Sequence, residues 1–200
     1  MTVREKLVQT AKNVPKVFAA GKTAEHDRFW DAYQQKGNRR SYTNGFSGEG
    51  WDDDTYNPKY DIIVDSSNYA NNMFNYSSVT NTKVPIRGSN GVRFSYAFAT
   101  RYITDIPLLS VDETVSFNSS FENATALENL TISGVIANVL NLQWATKLSK
   151  ASIESVVNAL SPNTSGLTVT FSKTAKEAVF TPETWAALIA GKENWTISLV

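Results

Sequence analysis

The chain has 200 residues, 42% of them hydrophobic and five of them Trp, which suits one domain with a substantial core, or one domain plus a small appendage. Nineteen basic and nineteen acidic residues cancel, ten of each before residue 67 and nine of each after it, so no basic face for nucleic acid or an anionic membrane is implied. With no Cys there is neither a disulfide framework nor thiol chemistry, and no apolar run reaches transmembrane length.

Residues 1–36 read as an N-terminal helical assembly segment. Val3, Leu7, Ala11, Val14 and Phe18 recur at steps of three and four, an apolar helical stripe. Pro15 interrupts it, Gly21 is a stop, and Thr23 can cap a second helix whose Phe29, Trp30 and Tyr33 form an aromatic face. A helix this short, broken by a proline, is marginal alone in water. Its stripe therefore needs a partner surface. Self-association through Val3, Leu7, Val14, Phe18, Phe29, Trp30 and Tyr33 is the expected solution, with a trimer as the expected form, because rotational symmetry buries the same stripe on every copy. The competing arrangement folds these helices back onto the chain's own body. The charged start M-T-V-R-E-K-L is unlike a secretory leader, so cytoplasmic synthesis is expected.

Residues 37–66 are rich in turn formers and read as an irregular connector. Its aromatics, Tyr42, Phe46, Trp51, Tyr56 and Tyr60, predict that it is pinned against a surface.

Residues 67–148 carry the strongest pattern. I103-T-D-I-P-L-L-S-V111 and L127-E-N-L-T-I-S-G-V135 share the template apolar-x-x-apolar-x-apolar-x-x-apolar. Each follows a V-x-F-x-x-x-F lead-in, with Phe94 and Phe98 in the first and Phe117 and Phe121 in the second. Tyr69 and Met73, with Val79, Val84 and Ile86, form a looser earlier copy that needs a bulge or loop, and L140-N-L-Q-W144 forms a partial later one. Phe94 to Phe117 and Phe98 to Phe121 are steps of 23 and Ile106 to Leu130 a step of 24, and self-similarity at such a period predicts a short solenoid, with Phe94, Phe98, Phe117, Phe121, Ile106, Leu108, Leu130 and Ile132 inside. An ordinary β-rich domain with coincidental spacing is the alternative.

Residues 149–200 differ from the copies and read as a capping region. Ser149 caps a helix running through Leu160, with Ile153, Val156, Val157 and Leu160 on one face. Gly166 to Phe171 alternates as a strand. Thr181-Pro-Glu starts a short helix that turns Trp185, Leu188 and Ile189 inward, and Trp195 to Val200 is a closing strand.

Candidate chemistry is sparse. His26 is the only histidine and no nucleophile motif accompanies it, so no catalytic residue is assigned. No His or Cys set has metal-ligand spacing, and D-D-D at 52–54 lacks the alternating ligands of a calcium loop, so no metal or cofactor is expected. Glu122 and Glu128 are the one pair of acids that could be imagined on a glycan-processing solenoid, but outward charge on a corner is the stronger reading.

The strings M-T-V-R-E-K-L-V-Q-T-A-K-N-V-P-K-V-F-A-A-G-K, D-R-F-W-D-A-Y-Q-Q-K-G-N-R and G-W-D-D-D-T-Y-N-P-K-Y-D lie toward the N-terminus. L-Q-W-A-T-K-L-S-K-A-S-I and N-W-T-I-S-L-V lie toward the C-terminus. Together they make the chain resemble leucine-rich-repeat-like proteins of tailed phages and prophages of gut Firmicutes. The expected fold is then α+β, a short leucine-rich-repeat-like solenoid with an N-terminal helical segment and a C-terminal αβ cap. The resemblance implies a non-enzymatic virion component, a tail-fibre or baseplate accessory protein. Its implied partners are copies of itself, other virion proteins and a host surface receptor or glycan, and it carries over no functional residues. A bacterial repeat-type adhesin and a solenoid glycan-active enzyme are the alternatives. The missing secretory leader weighs against the first, and the missing acid/base pair against the second.

Overall fold

Short apolar runs with alternating burial form the strands of this chain. The computed structural model describes residues 42–58, 61–65 and 70–200. Strands β1 (Ile62–Val64), β2 (Ile86–Gly88), β3 (Asp105–Val111) and β4 (Asn129–Gly134) make one parallel sheet in that order. In β1 and β2 the outer residues of each triplet are buried and the middle one is exposed, the period-two signature of a sheet with one face in the core. β5 (Leu140–Leu142), β6 (Leu167–Phe171) and β7 (Trp195–Leu199) make a second parallel sheet. The register pairs Leu140 with Val169 and Leu167 with Trp195.

Three helices lie in the connections of the second sheet. Helix α1 (Lys150–Ala159) connects β5 to β6, while α2 (Lys173–Val179) and α3 (Pro182–Ile189) connect β6 to β7. Helical crossovers of this kind are how consecutive parallel strands are usually joined. Each start is capped by a hydroxyl: Ser149 accepts from the Ser152 amide, Ser172 from Ala175, and Thr181 forms a reciprocal box with Thr184 ahead of Pro182.

The expected α+β fold, a leucine-rich-repeat-like solenoid with a C-terminal cap, is therefore corrected. The chain is an α/β arrangement of two small parallel sheets, of four and three strands, with three helices among the described residues. The C-terminal residues build a second sheet of their own, and α1 closes the last strand of the first. On β4, the Leu130 amide donates to Ser152 Oγ at 2.8 Å, and Ser152 Oγ donates to the Glu128 carbonyl at 3.0 Å. Two residues further along the strand, the Ile132 amide donates to Ser155 Oγ at 2.7 Å and Ser155 Oγ returns to the Ile132 carbonyl at 3.0 Å. Two serines thus take the place of a fifth strand.

Behind the first sheet the core is aromatic. Phe46, Phe74, Phe98 and Phe121 stack face to face at centroid separations of 5.1, 6.1 and 5.3 Å, and Phe94 stacks on Phe117 at 6.2 Å. Tyr42 and Tyr56 join this core from the span expected to be an irregular connector, which also contains β1. The Tyr56 hydroxyl donates to the buried Thr82 carbonyl at 2.7 Å, and burial, reinforced by the neighbouring Tyr42 phenol, pushes its pKa well above the ordinary value.

One inward assignment is corrected. Leu108, expected inside, is only partly buried, and Leu109 takes the core position at 0% exposure. The register shifts between Ile106, opposite Leu130, and Leu109, opposite Ile132, so β3 carries one extra residue there. Pro107 lies in the shift; it has no amide to give to a ladder, and a bulge accommodates that. In the looser earlier copy Met73 is buried as expected, and the ring that stacks on Phe98 is Phe74, one position after it. Tyr69 lies outside the described residues.

Carboxylates organise the turns. Asp112 accepts from the Thr114 amide at 2.9 Å and the Asn90 amide at 3.1 Å, as well as from the Thr114 hydroxyl. Partial burial pushes its carboxyl up, but these hydrogen bonds together outweigh it and hold the pKa below the usual value. A depressed folded-state pKa means the stabilisation is complete above the unfolded-state pKa and disappears as pH falls through the folded one. The melting temperature should therefore fall below about pH 4. Asp112→Asn should melt lower than the parent at pH 7 and show a shallower acid limb in a calorimetric pH series.

Candidate functional site

The turns that carry the aromatic core leave a half-open groove of about 630 Å³ on the surface, lined by Glu49, Tyr76, Ser78, Ala99, Thr100, Arg101, Tyr102, Asn123 and Thr125. The floor is fixed by hydrogen bonds between turns. Buried Thr100 donates its hydroxyl to the Ser77 carbonyl at 2.6 Å. The Ser78 amide donates to the Trp51 carbonyl at 2.7 Å, and the Tyr76 amide to Ala99 at 3.5 Å.

Two tyrosines stand above this floor. Tyr76 is 72% exposed and Tyr102 is 40% exposed. Tyr76 has φ +58°, a conformation uncommon for a bulky residue. The guanidinium of Arg101 lies 5.0 Å from the Tyr102 ring centre and donates to the Tyr102 hydroxyl at 2.8 Å, so ring, hydroxyl and cation are joined in one unit. Among the described residues, Glu49 is the one carboxylate in the lining and Arg101 the one cation. The groove thus offers two aromatic rings, several hydroxyl and amide groups, and balanced charge.

The residues singled out from the sequence lie elsewhere. The predicted interface residues Val3, Leu7, Val14, Phe18, Phe29, Trp30 and Tyr33, and His26, fall outside the described residues. Within D-D-D, Asp52 caps its own turn, accepting from the Thr55 amide and hydroxyl, both at 2.9 Å. The Thr55 amide leads the hydrogen bonds that hold the Asp52 carboxyl below its usual pKa. Asp53 accepts the Thr80 amide at 2.9 Å, tying the turn to a segment 27 residues on. These carboxylates staple the fold. No group of three or more His, Cys, Asp or Glu among the described residues could hold a metal ion. Glu122 sits in a turn and Glu128 just before β4, where its backbone carbonyl receives Ser149 and Ser152.

Sequence reasoning missed Tyr76, Arg101 and Tyr102. The one available signal is that each falls a few residues after a core phenylalanine, Phe74 or Phe98, at a polar stretch where an apolar ring has no inward position left. No described helix is long and apolar enough to cross a membrane. No family model, no curated protein and no solved structure matches this chain.

Proposed function

We propose that this chain is a non-enzymatic virion component of a tailed phage or prophage, a tail-fibre or baseplate accessory protein that assembles through residues 1–36 and presents a binding surface. The observation that carries the binding role is the groove around Tyr76 and Tyr102. It is rich in aromatic and hydroxyl groups and, among the described residues, holds a single carboxylate, Glu49, where hydrolytic chemistry on a glycan would use two. The virion setting rests on the terminal strings quoted above, which resemble those of phage and prophage proteins.

Mass spectrometry of purified particles induced from a lysogen that carries the gene tests the proposal. Peptides of this chain should co-purify with intact particles through a density gradient, and light scattering of the full chain should give a trimer that Leu7→Lys with Val14→Lys dissociates. Particles devoid of the chain would overturn the virion assignment. Turnover of a polysaccharide that is lost in Glu49→Gln would overturn the non-enzymatic one.

A further inference from the structure

We infer that the groove between Tyr76 and Tyr102 binds a neutral, hexose-based glycan, with one sugar ring lying on the face of Tyr76. The inference rests on the proposed binding role of this surface and gives it a ligand class.

Three features select that class. First, the rings are displayed. Tyr76 keeps 72% of its surface in water although a fully buried aromatic core lies beneath it. The face of an aromatic ring is electron-rich, and the C–H groups on one face of a pyranose are its natural counterpart.

Second, what surrounds the rings is short and polar. Ser78, Asn123 and Thr125 supply hydroxyl and amide groups that both donate and accept, matching sugar hydroxyls, which do the same. An extended apolar peptide would leave these groups unpaired, and burying them without partners is costly.

Third, the charge is balanced. Arg101 is already engaged by the Tyr102 ring and hydroxyl, and Glu49 offsets it. An anionic sugar or a phosphate would need a surplus of cations that the lining does not provide. A proline-rich peptide, which also docks on tyrosines, prefers a dry aromatic trough, and is the disfavoured macromolecular alternative.

The full chain is tested by affinity electrophoresis in gels containing a soluble glucan, a mannan or a galactan, beside polygalacturonate and a gel containing an immobilised proline-rich decapeptide. Retardation by at least one neutral polymer is expected. Tyr76→Ala should weaken it at least tenfold, and Tyr76→Phe, which keeps the ring, should leave it within about twofold of the parent. The exposure of Tyr76 makes both variants independent of folding, which thermal melting confirms. Retardation by none of the neutral polymers, by the acidic polymer or the peptide alone, or equally in parent and Tyr76→Ala, overturns the inference. The particle-association experiment is untouched by any of those results, so failure of the ligand class and failure of the virion assignment are read separately.

Discussion

Phe98→Ala should lower the free energy of unfolding by about 3–5 kcal/mol, read from urea denaturation with an unchanged slope. Phe98 is fully buried and lies in the middle of the aromatic stack. Phe74 is 6.1 Å away on one side, Phe121 5.3 Å on the other, and Phe94 5.6 Å within its own turn. Removing the ring takes away three ring contacts at once and leaves a cavity whose walls are held by stacked turns on both sides. Those walls are also tied by backbone hydrogen bonds, Phe74 amide to Ala97 carbonyl at 2.7 Å and Phe98 amide to Ser120 carbonyl at 2.9 Å, so they cannot collapse to fill it. Phe117, which among the described residues has a ring contact with Phe94 alone and is 3% exposed, should cost less when truncated. Equal losses at the two positions would mean that burial alone, and not the stack, sets the stability.

Gly134→Ala is expected to cost about 3 kcal/mol or more, through backbone rather than core. Gly134 ends β4 with φ +93°, and a Cβ placed there would stand 1.9 Å from the Val111 carbonyl oxygen and 3.1 Å from its carbon. That oxygen also receives the Val135 amide at 3.1 Å, so the methyl group would occupy the space of a ladder hydrogen bond between β3 and β4. Gly48 provides the control. It has the same φ, +93°, and nothing within 4 Å of a Cβ. Gly48→Ala should therefore show the conformational strain alone, about 1–2 kcal/mol. The difference between the two variants in chemical denaturation isolates the steric clash, and no difference would show that Val111 moves aside freely.

Burial was more legible in the sequence than partnership. The spacing of Phe94, Phe98, Phe117, Phe121, Ile106, Leu130 and Ile132 reports that these side chains share an interior, and all seven are buried. The Ser149 and Thr181 caps are equally local: a hydroxyl before a periodic run needs nothing from the rest of the chain to act. Sheet membership is different. Leu140–Leu142 looks like the next member of the preceding series, yet it pairs with β6, because that choice depends on residues 25 and more positions later. Helix α2 leaves no mark in the sequence, because seven residues with only Ala175 buried give no stripe to read. The bulge at Pro107 moved the inward position from Leu108 to Leu109, a one-residue change that apolar spacing cannot resolve when two leucines adjoin. In the candidate site, Tyr76 and Tyr102 gave no motif because their importance lies in being exposed, and hydrophobic periodicity records the opposite.

Ser152 and Ser155 act on the first sheet as an end group acts on a growing polymer. Between Asn129 and Gly134, β4 carries no charge and no proline, the devices by which a strand ordinarily deters another chain from adding to it. A strand arriving from a second molecule would have to evict two hydroxyls that already donate and accept at Glu128, Leu130 and Ile132, and would gain only hydrogen bonds of the kind it displaced. With α1 docked, β4 is a poor template. With α1 lifted it becomes a bare six-residue one, with Leu130 and Ile132 uncovered beside it. Resistance to edge-to-edge aggregation at this strand is therefore set by how often a ten-residue helix leaves its place, and not by anything written in the strand itself.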